Sequence, residues 1–301
     1  MLPDKKDIII NSLQDQLFSR KIVTVSILRL DRIHPVVSGN KLFKLHYFLE
    51  AAVQSTHKTV ITFGGAFSNH LVATAFACRE LGLKSIGIIR GEKPATISHT
   101  LQQCITFGME LKFISRTDYS KKEDPFFLNW LTQTIGEHIL IPEGGYHPLG
   151  AKGAAMIMEM ISNDYSHICC AVGTATTVAG LVSAATNKQL VVGFSALKNM
   201  TDIASRFEYL VGSSTQNKNF LQVNDYSFNG YAKHDQSLLQ FMNELYMKQH
   251  IPTDFVYTGK MLFGIYDMLK TNRLPEGSNI MCIHTGGLQG NLSLPANSLV
   301  F

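Results

Sequence analysis

The stretch TVITFGGAFSNH, residues 59–70, decides the fold. Its first five residues are β-branched or aromatic, which predicts a buried strand, and two glycines then turn the chain. Residues 68–81 continue with a helical pattern that ends at Gly82. A buried strand that runs through a glycine turn into a helix is the repeating unit of a parallel α/β sheet.

The same alternation continues along the chain and restarts after about residue 150. The patterns predict further strands at 84–89, 111–114, 138–141, 168–172, 190–195 and 279–284, and helices at 96–107, 124–135, 150–162 and 177–186. We therefore expect an α/β protein with two open, twisted, mostly parallel sheets flanked by helices. The cleft between them is the expected ligand site.

Composition and charge narrow the class of protein. The 301 residues are 45% hydrophobic and 17% charged, with a net charge of +4 that is not gathered in one block, so nucleic-acid binding has no support. The five cysteines form no disulfide framework, and the adjacent Cys169 and Cys170 can hardly bridge, so all five are expected to be reduced. The sequence lacks zinc-binding spacings, and no metal site is expected.

Neither a secretory signal nor a membrane span is expected. Asp4, Lys5 and Lys6 precede only a short apolar run. The uncharged residues 167–185 carry two glycines and four hydroxyl residues, which favours a buried strand and helix over a membrane span. These features predict a cytoplasmic protein.

Residues 38–45, SGNKLFKL, open a helix whose apolar positions at 42, 45, 48, 49 and 52 share one face. Lys41 stands at the start of that helix, where the helix dipole lowers the pKa of an amine. Desolvation would lower the pKa further and make the amine a nucleophile. Taken alone, the pattern also fits a surface lysine at a helix start.

The glycine turn of residues 63–70 predicts an anion site. Free N–H groups at the start of the following helix would bind a carboxylate or a phosphate. Ser68 could equally serve only as the helix cap, but Asn69 and His70 add polar groups that a cap does not require.

Residues 172–180, VGTATTVAG, again join a strand to a helix. Small residues and three threonines are what a phosphate-binding turn needs, although the stretch is neither a Walker loop nor GxGxxG. A capped, threonine-rich turn is the alternative. Tyr231 and Tyr257 are candidate proton-transfer groups, and each taken alone also fits ordinary packing.

In combination these segments resemble the 1-aminocyclopropane-1-carboxylate deaminase/D-cysteine desulfhydrase family. GNK with a second lysine, GGxxSNH, the Gly/Thr turn, YTGK at 257–260 and HTGGL at 284–288 stand in the family's order, between about residues 28 and 290. The resemblance implies the two-domain fold type II of pyridoxal 5'-phosphate (PLP) enzymes. It places a small domain at 44–148 and a large PLP-binding domain at 1–43 and 149–301. It also implies a homodimer.

The resemblance assigns roles residue by residue. Lys41 matches the lysine that carries PLP as a Schiff base and moves the substrate proton, and Asn69 matches the partner of the PLP 3′-oxygen. Tyr231 and Tyr257 match active-site tyrosines, and Thr258 matches the residue that faces the pyridine nitrogen. Ser68, Asn69 and His70 match the loop that receives the substrate carboxylate. The residues that match the phosphate-binding turn are Gly173, Thr174, Ala175, Thr176 and Thr177.

The residue type at position 258 bears on which substrate the enzyme uses. Deaminase members carry a glutamate at this position, which keeps the pyridine nitrogen protonated, whereas a neutral hydroxyl leaves it largely unprotonated. The resemblance therefore favours β-elimination from a small D-amino acid, with D-cysteine giving pyruvate, ammonia and sulfide. Deamination of 1-aminocyclopropane-1-carboxylate or D-serine stays open, as does a PLP-binding protein with little turnover. A nucleotide-binding α/β protein that uses the 173–180 turn is a more distant alternative.

Some residues depart from the family pattern. Arg32 stands where a second acidic residue is frequent, and Phe43 where arginine is frequent. Ala175 replaces a glycine, and its methyl group would crowd the phosphate if its φ must be positive. Asn229 replaces another glycine. These positions bear on substrate choice and turnover more than on PLP binding.

Overall fold

The computed structural model describes residues 7–212 and 219–301. The predicted absence of a signal sequence rests on residues 4–10, of which residues 4–6 lie outside these ranges. In chain order the strands are β1 (Ile10–Ser12), β2 (Thr24–Leu28), β3 (Thr59–Gly64), β4 (Lys84–Arg90), β5 (Glu110–Ile114), β6 (Ile139–Ile141), β7 (His167–Val172), β8 (Leu190–Ser195), β9 (Phe220–Val223) and β10 (Asn279–Ile283).

The helices lie mainly between strands and carry the chain from one parallel strand to the next. They are α1 (Gln16–Arg20), α2 (Asn40–Gln54), α3 (Asn69–Glu80), α4 (His99–Thr106), α5 (Arg116–Tyr119), α6 (Pro125–Ile135), α7 (Pro148–Ala155), α8 (Thr176–Ala184), α9 (Ile203–Val211), α10 (Gln236–Gln249) and α11 (Thr258–Lys270).

Two sheets organise the chain, as the alternating pattern predicts. The smaller sheet has the order β5-β4-β3-β6 and is parallel throughout, with Ile61 opposite both Ile86 and Leu140. The larger has the order β1-β2-β10-β7-β8-β9, in which only β1 runs antiparallel, to β2. This mixed α/β architecture confirms the predicted fold class.

Glycines let the helices beside the larger sheet approach one another closely. A Cβ atom on Gly153 of α7 would lie 2.0 Å from the carbonyl oxygen of Phe43 in α2, and one on Gly180 of α8 would lie 2.4 Å from the carbonyl oxygen of Ala151 in α7. Phe43 is fully buried in this core. Because α2 cannot move away from α7 without opening the core, the residues at its N-terminal end are held firmly.

Some details differ from the sequence prediction. The helix predicted at 150–162 ends at Ala155 and continues as 3-10 turns through Met160. The predicted division into 44–148 and the remainder stays a prediction; residue 44 lies inside α2 and residue 148 begins α7. All five cysteines are buried free thiols. No helix in the described part of the chain is long and apolar enough to span a membrane.

Candidate active site

Helix α2 begins against the loop that follows β10. Gly39, at φ 72°, precedes the helix, and a Cβ atom there would lie 2.0 Å from the carbonyl oxygen of Thr285, so only glycine fits. The side chain of Asn40 donates a hydrogen bond of 2.7 Å to Thr177 Oγ1 in α8. These two contacts fix the backbone of the next residue, Lys41.

Lys41 occupies the interior of the site. Its Nζ lies 5.9 Å from the centre of the Tyr257 ring. Burial lowers the pKa of Lys41, and the charge of Asp254 opposes that shift without cancelling it. A lysine whose amine loses its proton easily can act as a nucleophile or as a base.

Lys44 is a second buried amine, one helical turn after Lys41, and the sequence interpretation did not give it a role. Only 6% of the residue is exposed, and it forms no salt bridge with any described residue. Burial, helped by the charge of Lys41, lowers the pKa of Lys44 to about 7. Its place between apolar positions 42, 45 and 48 was the signal that it faces inward.

A short turn at residues 144–145 lies between Lys44 and residues 173–177. A Cβ atom on Gly144 would lie 3.0 Å from Thr174, and one on Gly145 would lie 3.3 Å from Cε of Lys44, so a single short turn contacts both. Residues 173–177 lead directly into α8, and the first N–H groups of that helix have no partner within the helix. Together the helix end and the lysine provide what a phosphate group binds.

Ala175 has φ 67° and ψ −10°, in the left-handed region. The φ of Ala175 is therefore positive, which is the case in which its methyl group would crowd a bound phosphate. The residue is 2% exposed and packs in the core. The neighbouring hydroxyls of Thr174 and Thr176 lie 2.9 Å apart and share a hydrogen bond.

Helix α3 starts at the carboxyl end of β3 and contributes Ser68 and Asn69. Ser68 Oγ accepts a hydrogen bond from the N–H of Leu71, which confirms that it caps the helix, yet its own proton stays available to a ligand. Asn69 Oδ1 is buried and has no hydrogen-bond partner among the described residues. Asn69 Nδ2 lies 3.5 Å from where a Cβ atom on Gly287 would stand, so the ends of β3 and β10 meet here.

His70 lies deeper than the two residues before it. Thr62 donates its hydroxyl proton to the carbonyl oxygen of Ile141, so the His70 Nε2, 2.9 Å away, must donate to Thr62. Burial lowers the pKa of His70 to about 3, helped by the charges of Lys44 and Lys41. The His70 ring is therefore neutral. It stabilises the loop at residues 63–70 through its hydrogen bond to Thr62 and does not attract a carboxylate by charge.

The two tyrosines stand in a row with Lys41. The ring centres of Tyr231 and Tyr257 are 6.1 Å apart. Burial raises the pKa of Tyr257 well above its usual value, and the neighbouring Tyr231 raises it further. Burial also raises the pKa of Tyr231, although a hydrogen bond from Tyr257 opposes this shift. Both hydroxyls are therefore protonated near neutral pH and serve as donors rather than as bases.

Asp254 is a fully buried carboxylate that the sequence interpretation missed. Its Oδ1 accepts from the N–H groups of Val256 and Tyr257, and its Oδ2 accepts from the N–H and the hydroxyl of Thr258, the latter at 2.6 Å. Thr258 Oγ1 also accepts from the Asp254 N–H at 2.9 Å. The signal in the sequence was an aspartate four residues before Thr258, because an aspartate just before a helix can accept hydrogen bonds from the first N–H groups of that helix.

The fold thus brings together side chains that are far apart in sequence. The Lys41 amine lies 5.9 Å from the centre of the Tyr257 ring, Asn69 approaches Gly287, and the turn at residues 144–145 lies near both Lys44 and Thr174. Asn40 Oδ1 and Asn69 Oδ1 are buried without partners among the described residues. Unpartnered acceptors beside unpaired amines and a helix N-terminus suit a polar ligand that carries an anion and a carbonyl carbon.

Comparison with known proteins points the same way. A family model described as pyridoxal-phosphate dependent enzyme matches residues 16–286. A relative from Thermotoga maritima, provisionally named a 1-aminocyclopropane-1-carboxylate deaminase, is 33% identical over 282 residues, 87% of this chain and 88% of its own. The mitochondrial bifunctional D-cysteine desulfhydrase/1-aminocyclopropane-1-carboxylate deaminase of Arabidopsis thaliana is 28% identical, over 84% of this chain and 70% of its own.

A solved structure shares the architecture. The crystal structure of an ACC deaminase homologue superposes with a TM-score of 0.80 at 25% sequence identity, over 95% of this chain and 90% of that one.

Replacement of Ala175 by glycine should stabilise the protein, because glycine adopts φ 67° without a Cβ penalty. We expect the free energy of unfolding of Ala175→Gly to rise by about 1 kcal/mol. Ala179→Gly, in the interior of the same helix, should instead lower it by about 1 kcal/mol. Urea unfolding measures both, and equal losses in the two variants would contradict a strained Ala175.

Lys44 should make stability depend on pH. Its pKa is about 7 in the folded chain and near 10.5 when unfolded, so between these values the unfolded chain binds more protons and stability rises with pH. In Lys44→Met we expect the gain in unfolding free energy from pH 7 to pH 9 to shrink by about 2 kcal/mol. Urea unfolding of the cofactor-free protein tests this, with the exposed Lys84→Met as control. Equal pH slopes in Lys44→Met and the unmodified protein would exclude it.

Proposed function

We propose that this chain, which belongs to the pyridoxal-phosphate-dependent enzymes and among them to the 1-aminocyclopropane-1-carboxylate deaminase/D-cysteine desulfhydrase family, eliminates the β substituent of a small D-amino acid. D-cysteine is the first candidate: with one water it yields pyruvate, ammonia and hydrogen sulfide. The observation that carries the proposal is the buried amine of Lys41, with its lowered pKa, beside the protonated Tyr257.

The side chains that would hold the cofactor fit its chemistry. Lys41 would bind the aldehyde carbon covalently, and Asn69 would bond the ring oxygen. Lys44 and the start of α8, at residues 173–177, would hold the phosphate. Thr258 would face the ring nitrogen. When bound, PLP supplies an electron sink for the negative charge that develops at the substrate Cα.

The protein's own groups supply binding and proton transfer. The N–H groups at the start of α3 and the hydroxyl proton of Ser68 bind the substrate carboxylate and set the direction of the Cα–H bond. Lys41, as a neutral amine, accepts the Cα proton. Tyr257 and Tyr231 keep their protons at neutral pH, so they donate to groups that become negative as the sulfur departs.

The substrate preference rests on Thr258. A hydroxyl at this position suits elimination of a thiolate that leaves with its electron pair, because negative charge need not persist at Cα. A strained cyclopropane lacks such a leaving group and demands a deeper sink.

Deamination of 1-aminocyclopropane-1-carboxylate is the second candidate, and Asp254 favours it. Thr258 gives its hydroxyl proton to the Asp254 carboxylate at 2.6 Å and therefore offers a lone pair, not a proton, towards the cofactor. A protonated ring nitrogen would match that lone pair. The buried carboxylate thus supplies, through one hydrogen bond, part of what a glutamate would supply directly.

Borohydride reduction tests the cofactor assignment. In PLP-loaded protein we expect the label on Lys41, which blocks trypsin there and yields a modified peptide of residues 33–44. Labelling of Lys44 would instead yield a modified peptide of residues 42–58 and would refute the assignment. Lys41→Ala should carry no label, and failure of the native chain to take up PLP at all would refute the whole proposal.

A product assay tests the substrate. We expect sulfide and pyruvate from D-cysteine, more than pyruvate from D-serine or 2-oxobutanoate from 1-aminocyclopropane-1-carboxylate. Lys41→Ala should lower turnover roughly a thousandfold or more, because the proton acceptor is lost. The exposed Lys84→Ala is the matched control and should match the unmodified enzyme. Ring opening without sulfide release would select the second candidate, and PLP uptake without any product would contradict both.

A further inference from the structure

The segment that carries Tyr231 has an unusual backbone. Phe228, Asn229 and Gly230 have φ of 50°, 67° and 121°, and Ala232 has φ 54°. Residues other than glycine occupy the left-handed region only at a cost in free energy, and a run of them persists only where surrounding contacts hold it. Tyr231 lies inside this run, and although its hydroxyl end reaches the desolvated surroundings of Tyr257, 56% of the residue is exposed, so packing of its own ring does little to fix it.

The contact that holds the segment is a buried ammonium group. Lys260 is 2% exposed, and its Nζ donates to the carbonyl oxygen of Ser227 at 2.7 Å and to that of Gly230 at 2.8 Å. The ring of Phe228 lies 6.0 Å from the same nitrogen. Lys260 forms no salt bridge with a described residue, so these carbonyls are its principal partners. Hydrogen bonds from a charged donor are among the stronger ones in proteins.

Lys260 also connects the segment to the site. It lies in the first turn of α11, three residues after Tyr257, the residue immediately before that helix. Tyr257 faces Tyr231 at 6.1 Å between ring centres and faces the Lys41 amine at 5.9 Å. One helix end therefore sets the position of Tyr257 directly and of Tyr231 through two hydrogen bonds.

We propose that Lys260 is a positioning residue that clamps the 227–230 turn and thereby holds the Tyr231 hydroxyl against Tyr257 for proton donation. This role rests on the proposed function, since it assigns Tyr231 to the reaction. Lys260 itself touches neither substrate nor cofactor in this role. Its effect on turnover passes through Tyr231 alone, which distinguishes it from a lysine that merely stabilises the fold.

The first test needs no activity. Lys260→Met keeps the length of the side chain and removes both donors. Hydrogen exchange followed by mass spectrometry on the cofactor-free protein should show faster exchange in residues 227–233, where the N–H groups of Gly230 and Lys233 bond within the turn. The rest of the chain should be unchanged. Lys58→Met is the matched control, because Lys58 donates to the carbonyl oxygen of Val53 on the surface. Unchanged exchange at 227–233 in Lys260→Met would overturn the clamp.

The second test uses the PLP-loaded enzyme and its best substrate. We expect Lys260→Met to lower kcat by about tenfold to a hundredfold with a smaller change in KM, because a proton donor is misplaced rather than a binding group lost. Tyr231→Phe should have a similar effect, and the double variant should be no slower than Tyr231→Phe alone. Losses that multiply in the double variant would show that Lys260 acts independently and would overturn the proposal.

Each of three further outcomes has a defined consequence. If Lys260→Met does not fold, Lys260→Gln replaces it in both tests. This variant keeps an amide donor, so we expect a smaller increase in hydrogen exchange at residues 227–233. If the enzyme takes up PLP but turns over no amino acid, the proposed function fails, while the exchange result still decides whether the clamp exists. Borohydride labelling of Lys41 should be the same in Lys260→Met as in the unmodified chain, and loss of the label would show a wider disruption that contradicts a role through Tyr231.

Discussion

Two lysine amines on consecutive turns of α2, on the partly buried Lys41 and the buried Lys44, form no salt bridge with any described residue, and the rest of the site is arranged around that fact. Removing an amine from water disfavours its charged form, so Lys41 becomes a nucleophile and Lys44 a cation that readily loses its charge. An anionic ligand would restore that charge. The cost of burying both groups is therefore recovered on binding, and an empty site is less stable than a filled one.

Such burial requires a helix that cannot relax towards solvent. Gly153 lets α7 lie directly on α2, and Gly39 lets the start of α2 lie on the carbonyl oxygen of Thr285. Larger residues at either position would push Lys41 outward and give its amine back to water. The same glycines bring α2 to the carboxyl ends of the strands, where parallel sheets place their ligands. Close packing thus supports the chemistry even though these glycines contact no reactant.

Local patterns in the sequence could predict the α/β class, most strand bounds and the turns at Ser68 and at residues 173–177. They could not predict which polar residues are buried, because burial depends on distant segments. Lys44 and Asp254 were therefore missed, and Lys260 was read only as part of a motif. Ala175 lies between these cases: its residue type raised the question of a positive φ, and only the backbone, at φ 67°, answered it.

Thr258 shows why a residue type alone does not define the electronics of a site. As an isolated hydroxyl it could donate to a neutral nitrogen or accept from a protonated one. Here its proton belongs to Asp254 and one of its lone pairs to the Asp254 N–H, so acceptance is the role left to it. Because Asp254 also accepts from the N–H groups of Val256 and Tyr257, its carboxylate cannot rotate away without breaking the start of α11. In the role proposed for Thr258, this pair of residues together determines whether the ring nitrogen is neutral or charged, and the substrate preference depends on the pair.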